Sequence, residues 1–213
     1  MQIEKFTFNV FQENTFIISE NSSCFIIDPG CSNSQEEQDL KTYINDQNFE
    51  VKAVLNTHCH IDHILGNAFC CDYFKVPLWI DSRDLPNLRM GKVVSDMYGL
   101  TYHPSPEPDK LLDNESSVKL GKSEIEIRFV PGHAPGHIVF VNHEEKWVIA
   151  GDTLFQLSIG RTDLPGGNHQ LLLDSIRKEL FSLEDDYAVH CGHGISTTIG
   201  FEKKHNPFLG NNL

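Results

Sequence analysis

The sequence predicts a mixed α/β protein built in layers, on three observations. Apolar runs of strand length alternate with helical stretches in both halves of the chain. Residues able to ligate a metal follow such runs, beside or close to glycine, at four separate places. The length, 213 residues, suits one large domain with a substantial core, spanning residues 1–213. Pattern alone leaves α/β and α+β both open.

In chain order, residues 3–10, 14–19 and 24–27 read as strands joined by short polar turns. Residues 34–47 read as an exposed helix that Ser34 can cap, with acids in the first turn where the helix dipole favours them. Residues 51–55 form a short strand, and 64–69 the first turns of a helix. Residues 76–80 are a buried strand, and 82–100 a helix broken at Pro86 and Gly91. Residues 103–108 are a proline-rich loop rather than a domain linker. Strands at 117–120 and 124–130 make a hairpin around Gly121 and Lys122, and 138–142 and 146–150 make another. A strand at 187–189 and helices at 169–180 and 197–205 complete the chain, which has no repeats and no low-complexity segment.

Composition narrows the partners. Lys and Arg number 17 against 30 Asp and Glu, a formal net charge of −13. Binding to nucleic acid through phosphates, or to an anionic membrane surface, needs the opposite sign. No apolar run reaches the length of a membrane span, and the first residues lack the pattern of a secretory leader. The six cysteines therefore read as free thiols in a reducing, cytoplasmic setting.

The densest chemistry is Thr57-His58-Cys59-His60-Ile61-Asp62-His63, placed where a strand ends and a helix begins. Imidazole and carboxylate suit zinc, iron or manganese. His58 and His60, two apart, can share a direction, whereas Asp62 and His63 fall on the following turn and can address a second ion. Further ligands stand in Pro131-Gly132-His133-Ala134-Pro135-Gly136-His137, in Ala150-Gly151-Asp152-Thr153 and in Cys191-Gly192-His193-Gly194. Glycine there lets backbone turn sharply and approach an ion.

In this order the four blocks resemble the metallo-β-lactamase superfamily. The stretch Gly160-Arg161-Thr162-Asp163-Leu164-Pro165-Gly166-Gly167-Asn168 and the ending His205-Asn206-Pro207-Phe208 resemble its small hydrolases related to glyoxalase II, the hydroxyacylglutathione hydrolases. The resemblance covers nearly the whole chain, and is weakest over residues 82–110. It implies a four-layer αβ/βα sandwich. It also implies two divalent ions per chain, zinc first, with iron or manganese as alternatives. One is assigned to His58, His60 and His133, the other to Asp62, His63 and His193, with Asp152 bridging. Asp62 and Asp152 are the carboxylates expected at the reaction centre.

A hydroxide shared by two such ions is a nucleophile near neutral pH, and the ions stabilise the oxyanion that its attack creates. A thioester fits, because its leaving thiolate has a pKa near ~8.5 and needs little acid assistance. The expected partner is a small-molecule thioester such as S-lactoylglutathione. Full-length glyoxalase II enzymes add a C-terminal helical domain that contacts glutathione, which leaves the thiol open here, as is the oligomeric state.

The second reading is an iron-dependent persulfide dioxygenase of the same superfamily, with one iron on His58, His133 and Asp152. The Cys191-Gly192-His193-Gly194 ending looks more like the hydrolases. A third, a non-enzymatic metal binder, is opposed by the complete ligand set. Cys59 and Cys191 flank ligand positions, but alternation points Cys59 away from the metal. Asp28 either orients a ligand histidine or forms a turn before Pro29. Arg161 either anchors a substrate carboxylate or makes a buried ion pair with Asp163. His137 reads either as a ligand or, preferably, as a structural or supporting residue, His190 as a support of the ligands, and His103, His143, His169 and His205 as structural or solvated.

Overall fold

The computed structural model describes residues 1–209. Its contacts fall into two compact units. The first is Met1–Asn114 with Lys119–Ser123, and the second is Glu115–Val118 with Glu124 onward.

The first unit contains β1 (Gln2–Phe8), β2 (Glu13–Glu20), β3 (Ser23–Ile27), α1 (Ser34–Asp46), β4 (Glu50–Leu55), α2 (Ile61–Ile64), α3 (Asn67–Phe74), β5 (Leu78–Ile80), a 3₁₀ turn (Ser82–Asp84), α4 (Leu85–Tyr98) and β6 (Lys110–Leu111). The six strands form one sheet in sequence order. The first two pairings are antiparallel and the last three parallel. Period-2 alternation places Ile17, Cys24, Ile26 and Val54 in a core with Leu40 and Ile44 of α1 and Leu88 of α4. The intervening Phe16, Ile18, Phe25 and Ile27 are buried too, so the strands read as continuous apolar runs.

Three expectations for this unit are corrected. Asn33, not Ser34, caps α1. Its side chain accepts from the N–H groups of Gln35 and Glu36 at 3.0 and 3.1 Å, because the helical conformation already begins at Ser34. The helix expected from Ile64 is two helices, parted where the N–H of Gly66 turns aside to the carbonyl of Pro29 at 2.7 Å. Finally, α4 is not broken. Pro86 lies in its first turn, where a missing N–H costs no hydrogen bond. Gly91 is there for packing: a Cβ at that position would meet the ring and hydroxyl of Tyr102 at 2.9 Å.

The second unit contains β7 (Ser117–Leu120, whose last residues cluster with the first unit), β8 (Ser123–Phe129), β9 (Ile138–Asn142), β10 (Trp147–Gly151), β11 (Leu154–Phe155), β12 (Ser158–Ile159), α5 (His169–Ser175), β13 (Ala188–Cys191), β14 (Thr197–Thr198) and α6 (Ile199–His205). Strands β11 and β12 form a small separate hairpin, while the other six make a sheet of order β14-β13-β10-β9-β8-β7. The helix expected to run through 180 ends at Ser175 and continues as one π turn, Ile176–Leu180. The helix expected from Thr197 starts at Ile199, capped by Thr198, whose hydroxyl accepts from the N–H of Phe201 at 3.2 Å. Leu172 and Ile176 pack with Val139, Val141, Val148 and Val189 to form this unit's core.

Strand direction positions the chemistry. Because β8 and β10 are each antiparallel to β9, and β10 is parallel to β13, the carboxyl ends of β8, β10 and β13 share one sheet edge. His133, Asp152 and His193 follow those three ends. In the first sheet the parallel pairing of β3 with β4 likewise brings Asp28 beside the loop carrying His58 and His60. Among the described residues no helix is long and apolar enough to cross a membrane.

Candidate metal centre

In the first unit the ligand loop is built on Asp28. That residue follows β3 in the left-handed region, φ 50°, which aspartate tolerates better than most side chains. One carboxylate oxygen accepts the N–H of Thr57 at 2.7 Å, and the other accepts the Thr57 hydroxyl at 2.6 Å and faces Nδ1 of His63 at 3.1 Å. With its hydrogen given to Asp28, the Thr57 hydroxyl is the acceptor for Nδ1 of His58, 3.1 Å away. A single carboxylate thus holds two imidazoles by their Nδ1 atoms, one directly and one through a hydroxyl.

The donors then crowd together. The ring centroids of His58 and His60 lie 4.8 Å apart, and those of His58 and His63 4.2 Å apart. An oxygen of Asp62 lies 3.8 Å from Nε2 of His63. Asp28, His58 and His63 also offer atoms within 4.8 Å of one another, a metal-sized group. The oxygens of Asp28 accept from Thr57 and face His63, so of its two readings from sequence the geometry supports the one in which it orients a histidine.

Residues that the sequence did not flag support the loop. Asp84 accepts the N–H of Cys59 and so pins the backbone between His58 and His60. Asn9 donates to the carbonyls of Gly30 at 2.9 Å and Asp62 at 3.0 Å. The side chain of Asn67 donates to Asn56 at 2.8 Å, and Asn56 in turn to the carbonyl of His63 at 3.1 Å. Glu13 is fully buried, with a carboxylate oxygen 3.8 Å from Nδ1 of His63. Burial raises its pKa well above the usual carboxylate range, against the opposing pull of His63. Glu13 opens β2 in the polar run Gln12-Glu13-Asn14-Thr15, which left no signal in the sequence.

In the second unit Asp152 is the hub. One of its oxygens lies 3.6 Å from Nε2 of His133 and 3.5 Å from Nε2 of His193. Nδ1 of His133 donates to the carbonyl of Arg161 at 2.7 Å, which presents Nε2. Gly160 makes that approach possible: a Cβ there would collide with the carbonyl of Asp152 and lie 3.0 Å from Nδ1 of His133. His137 is a support, since its Nε2 accepts the N–H of Asp152 at 3.0 Å. The side chain of His193 is 27 % exposed against 2 % for His133, so this unit's ligand cluster opens on the His193 side.

Arg161 forks onto Asp163 at 2.7 and 2.8 Å, but the pair is exposed, where burial was expected. The bond from Arg161 holds the Asp163 carboxyl down at about 2. Cys59 and Cys191 are buried and stand in none of the ligand-capable groups among the described residues. His190 meets the Ser196 hydroxyl at 3.3 Å, and His143 joins Tyr187 and Glu126 at 2.7 Å each.

Two clusters of imidazole and carboxylate, with Nδ1 of His58, His63 and His133 engaged, suit a class of protein that holds divalent metal through nitrogen and oxygen. The sequence profile of the Metallo-beta-lactamase superfamily matches residues 8–193, and the chain belongs to that superfamily. It is 37% identical over 212 residues, 98% of both chains, to the hydroxyacylglutathione hydrolase GloC of Haemophilus influenzae. A crystal structure of the B3 metallo-beta-lactamase BLEG-1 superposes with a TM-score of 0.90 at 33% identity, covering 99% of this chain and 100% of that one. A di-iron-bound form of TTHA1623 superposes with a TM-score of 0.87 at 33% identity, covering 97% and 100%. The expected fold class holds: a mixed α/β chain with two sheets and helices, of the metallo-β-lactamase type.

Proposed function

We propose that this chain is a metal-dependent thioester hydrolase of the hydroxyacylglutathione hydrolase kind, working in the cytoplasm. The observation that carries the reading is the near full-length similarity to GloC, 98% of each chain. The proposed ligand set is His58, His60 and His133 for one ion, and Asp62, His63 and His193 for the other, with Asp152 serving both. The orientation of one Asp152 oxygen toward both His133 and His193 supports the bridging assignment. Zinc, iron and manganese all suit these donors, and the di-iron form of TTHA1623 keeps iron in view.

Bound divalent ions would supply an activated water and polarise the scissile carbonyl. The chain's own groups set the rest. Asp28, Thr57 and the carbonyl of Arg161 hold His58, His63 and His133 as Nδ1–H tautomers, so each offers a lone pair at Nε2. Asp62 and Asp152 add negative charge that offsets that of the ions. The leaving thiolate, with a pKa near ~8.5, departs without a dedicated acid.

The test is a substrate series on metal-replete protein: S-lactoylglutathione, its matched amide, and glutathione persulfide with oxygen uptake recorded. Thioester cleavage with a silent amide supports the reading. Oxygen consumption without thioester cleavage assigns the chain to the persulfide dioxygenases instead.

A further inference from the structure

Glu13 is an unusual residue to bury. It opens β2 at 0% exposure. A carboxyl group taken out of water is costly unless its oxygens are bonded. Oε2 accepts the Thr15 hydroxyl at 2.9 Å. Oε1 accepts no hydrogen bond among the described residues and faces Nδ1 of His63 at 3.8 Å. A buried oxygen left in this way is uncommon and calls for a reason.

Two routes run from Glu13 to the turn that carries Asp62 and His63. The first passes through backbone. Having given its hydrogen to Glu13, the Thr15 hydroxyl accepts the N–H of Gly30 at 2.9 Å. The carbonyl of Gly30 accepts from the Asn9 side-chain amide at 2.9 Å, and the same amide nitrogen donates to the carbonyl of Asp62 at 3.0 Å. Gly30 is thus held on both sides, and the Asp62 backbone is held with it. The fit is close: a Cβ at position 30 would collide with Oε2 of Glu13 and lie 2.7 Å from both the Asn9 amide nitrogen and the Asp62 carbonyl oxygen.

The second route is direct. Nδ1 of His63 has one carboxylate oxygen from Asp28 at 3.1 Å and one from Glu13 at 3.8 Å, and all three side chains are buried. Two acceptors beside one N–H limit rotation of the ring, and carboxylate partners strengthen an imidazole as a ligand.

We propose that Glu13 is a positioning residue for the ion assigned to Asp62 and His63, holding the Asp62 backbone through Thr15 and Gly30 and backing Asp28 at Nδ1 of His63. This role rests on that ligand assignment and is independent of which thioester is cleaved.

The test is a titration of cobalt(II) into the metal-depleted full chain. Competition with a chromophoric chelator gives the affinity, and visible absorption reports the coordination of each bound ion. Glu13→Gln keeps the volume but replaces one acceptor oxygen with a donor. Thr15→Val cuts the backbone route, and Thr15→Ser keeps its hydroxyl. Glu13→Gln and Thr15→Val should each weaken one of two cobalt equivalents about tenfold or more, the range for loss of an outer partner, and change its absorption. Thr15→Ser should retain the parental affinity. In an Asp28→Asn background Glu13→Gln should cost a larger factor than it does alone, because groups that share one partner are coupled. The metal-depleted Glu13→Gln chain should melt near the parent. Unchanged cobalt affinity in Glu13→Gln overturns the positioning role. Equal weakening of both equivalents, in step with a lowered melting temperature of the metal-depleted chain, overturns it too and makes Glu13 a general support of the fold. A parent that binds a single equivalent overturns the assignment of Asp62 and His63 together with the role built on it. Thioester turnover enters none of these readouts, so failure of the hydrolase reading is distinguished from failure of the positioning role.

Discussion

The carboxylate of Asp28 reaches Nδ1 of His63 at 3.1 Å and the Thr57 hydroxyl at 2.6 Å, so one residue sets the tautomer of two proposed ligands. Asp28→Asn replaces one acceptor oxygen with a donor and cannot satisfy both partners. Metal affinity should fall about 10- to 100-fold, the range for loss of an outer-shell partner. Competition with a chromophoric chelator measures it, and unchanged affinity would refute the orienting role.

Asp152→Ala removes the oxygen facing both His133 and His193. Thioester turnover should vanish from metal-replete protein while circular dichroism stays near that of the parent. The loss should exceed that of any single histidine, because one carboxylate is assigned to both ions. Near-normal turnover would end the bridging assignment.

Metal content should be two ions per chain by elemental analysis after dialysis. Stripping with chelator should lower the melting temperature, and adding metal back should restore it, since a ligand that binds only the folded state stabilises it. A single ion at full occupancy would favour the mononuclear iron alternative.

Gly91→Ala sets two effects against each other. Alanine gains about 1 kcal/mol in helix propensity over glycine. Its methyl group, however, meets Tyr102 at 2.9 Å, and that hydroxyl is held by Ser105 through bonds of 2.8 and 2.9 Å. Overpacking against a pinned ring costs roughly 1–3 kcal/mol, so the net change should be destabilising. Denaturant melts measure it, and a rise in stability would show that the ring gives way.

Burial pushes the Cys24 thiol up to about 12. An unfolded thiol titrates near ~8.5, so between these values the unfolded state holds fewer protons than the folded one. Stability should therefore fall as pH rises from ~8.5 toward 12. Cys24→Ala, compared with the parent by denaturant melts at pH 8 and 10, should lose less stability over that interval.

The ligand blocks were legible in the sequence because chelation demands particular side chains, and glycine beside several of them marks where backbone must turn. The strands were legible from apolar runs, and their ends fell within a residue or two in most cases. What local pattern determined was therefore the longer strands and the candidate donors; the fold class came from the resemblance, and the two-residue strands β6, β11, β12 and β14 left no readable run.

Tertiary contact decided the rest. Gly91 looked like a helix breaker, yet α4 runs through it because the missing Cβ is the space occupied by Tyr102, eleven residues on. The supports of the ligand loop, Asp28, Asp84 and Asn9, act over separations of 25 to 53 residues, which no local pattern records. His133 depends on the carbonyl of Arg161, a backbone atom that any residue type would supply. Side-chain chemistry is written in sequence, whereas the direction in which a donor points is set by its partners, and sheet register and packing choose those partners.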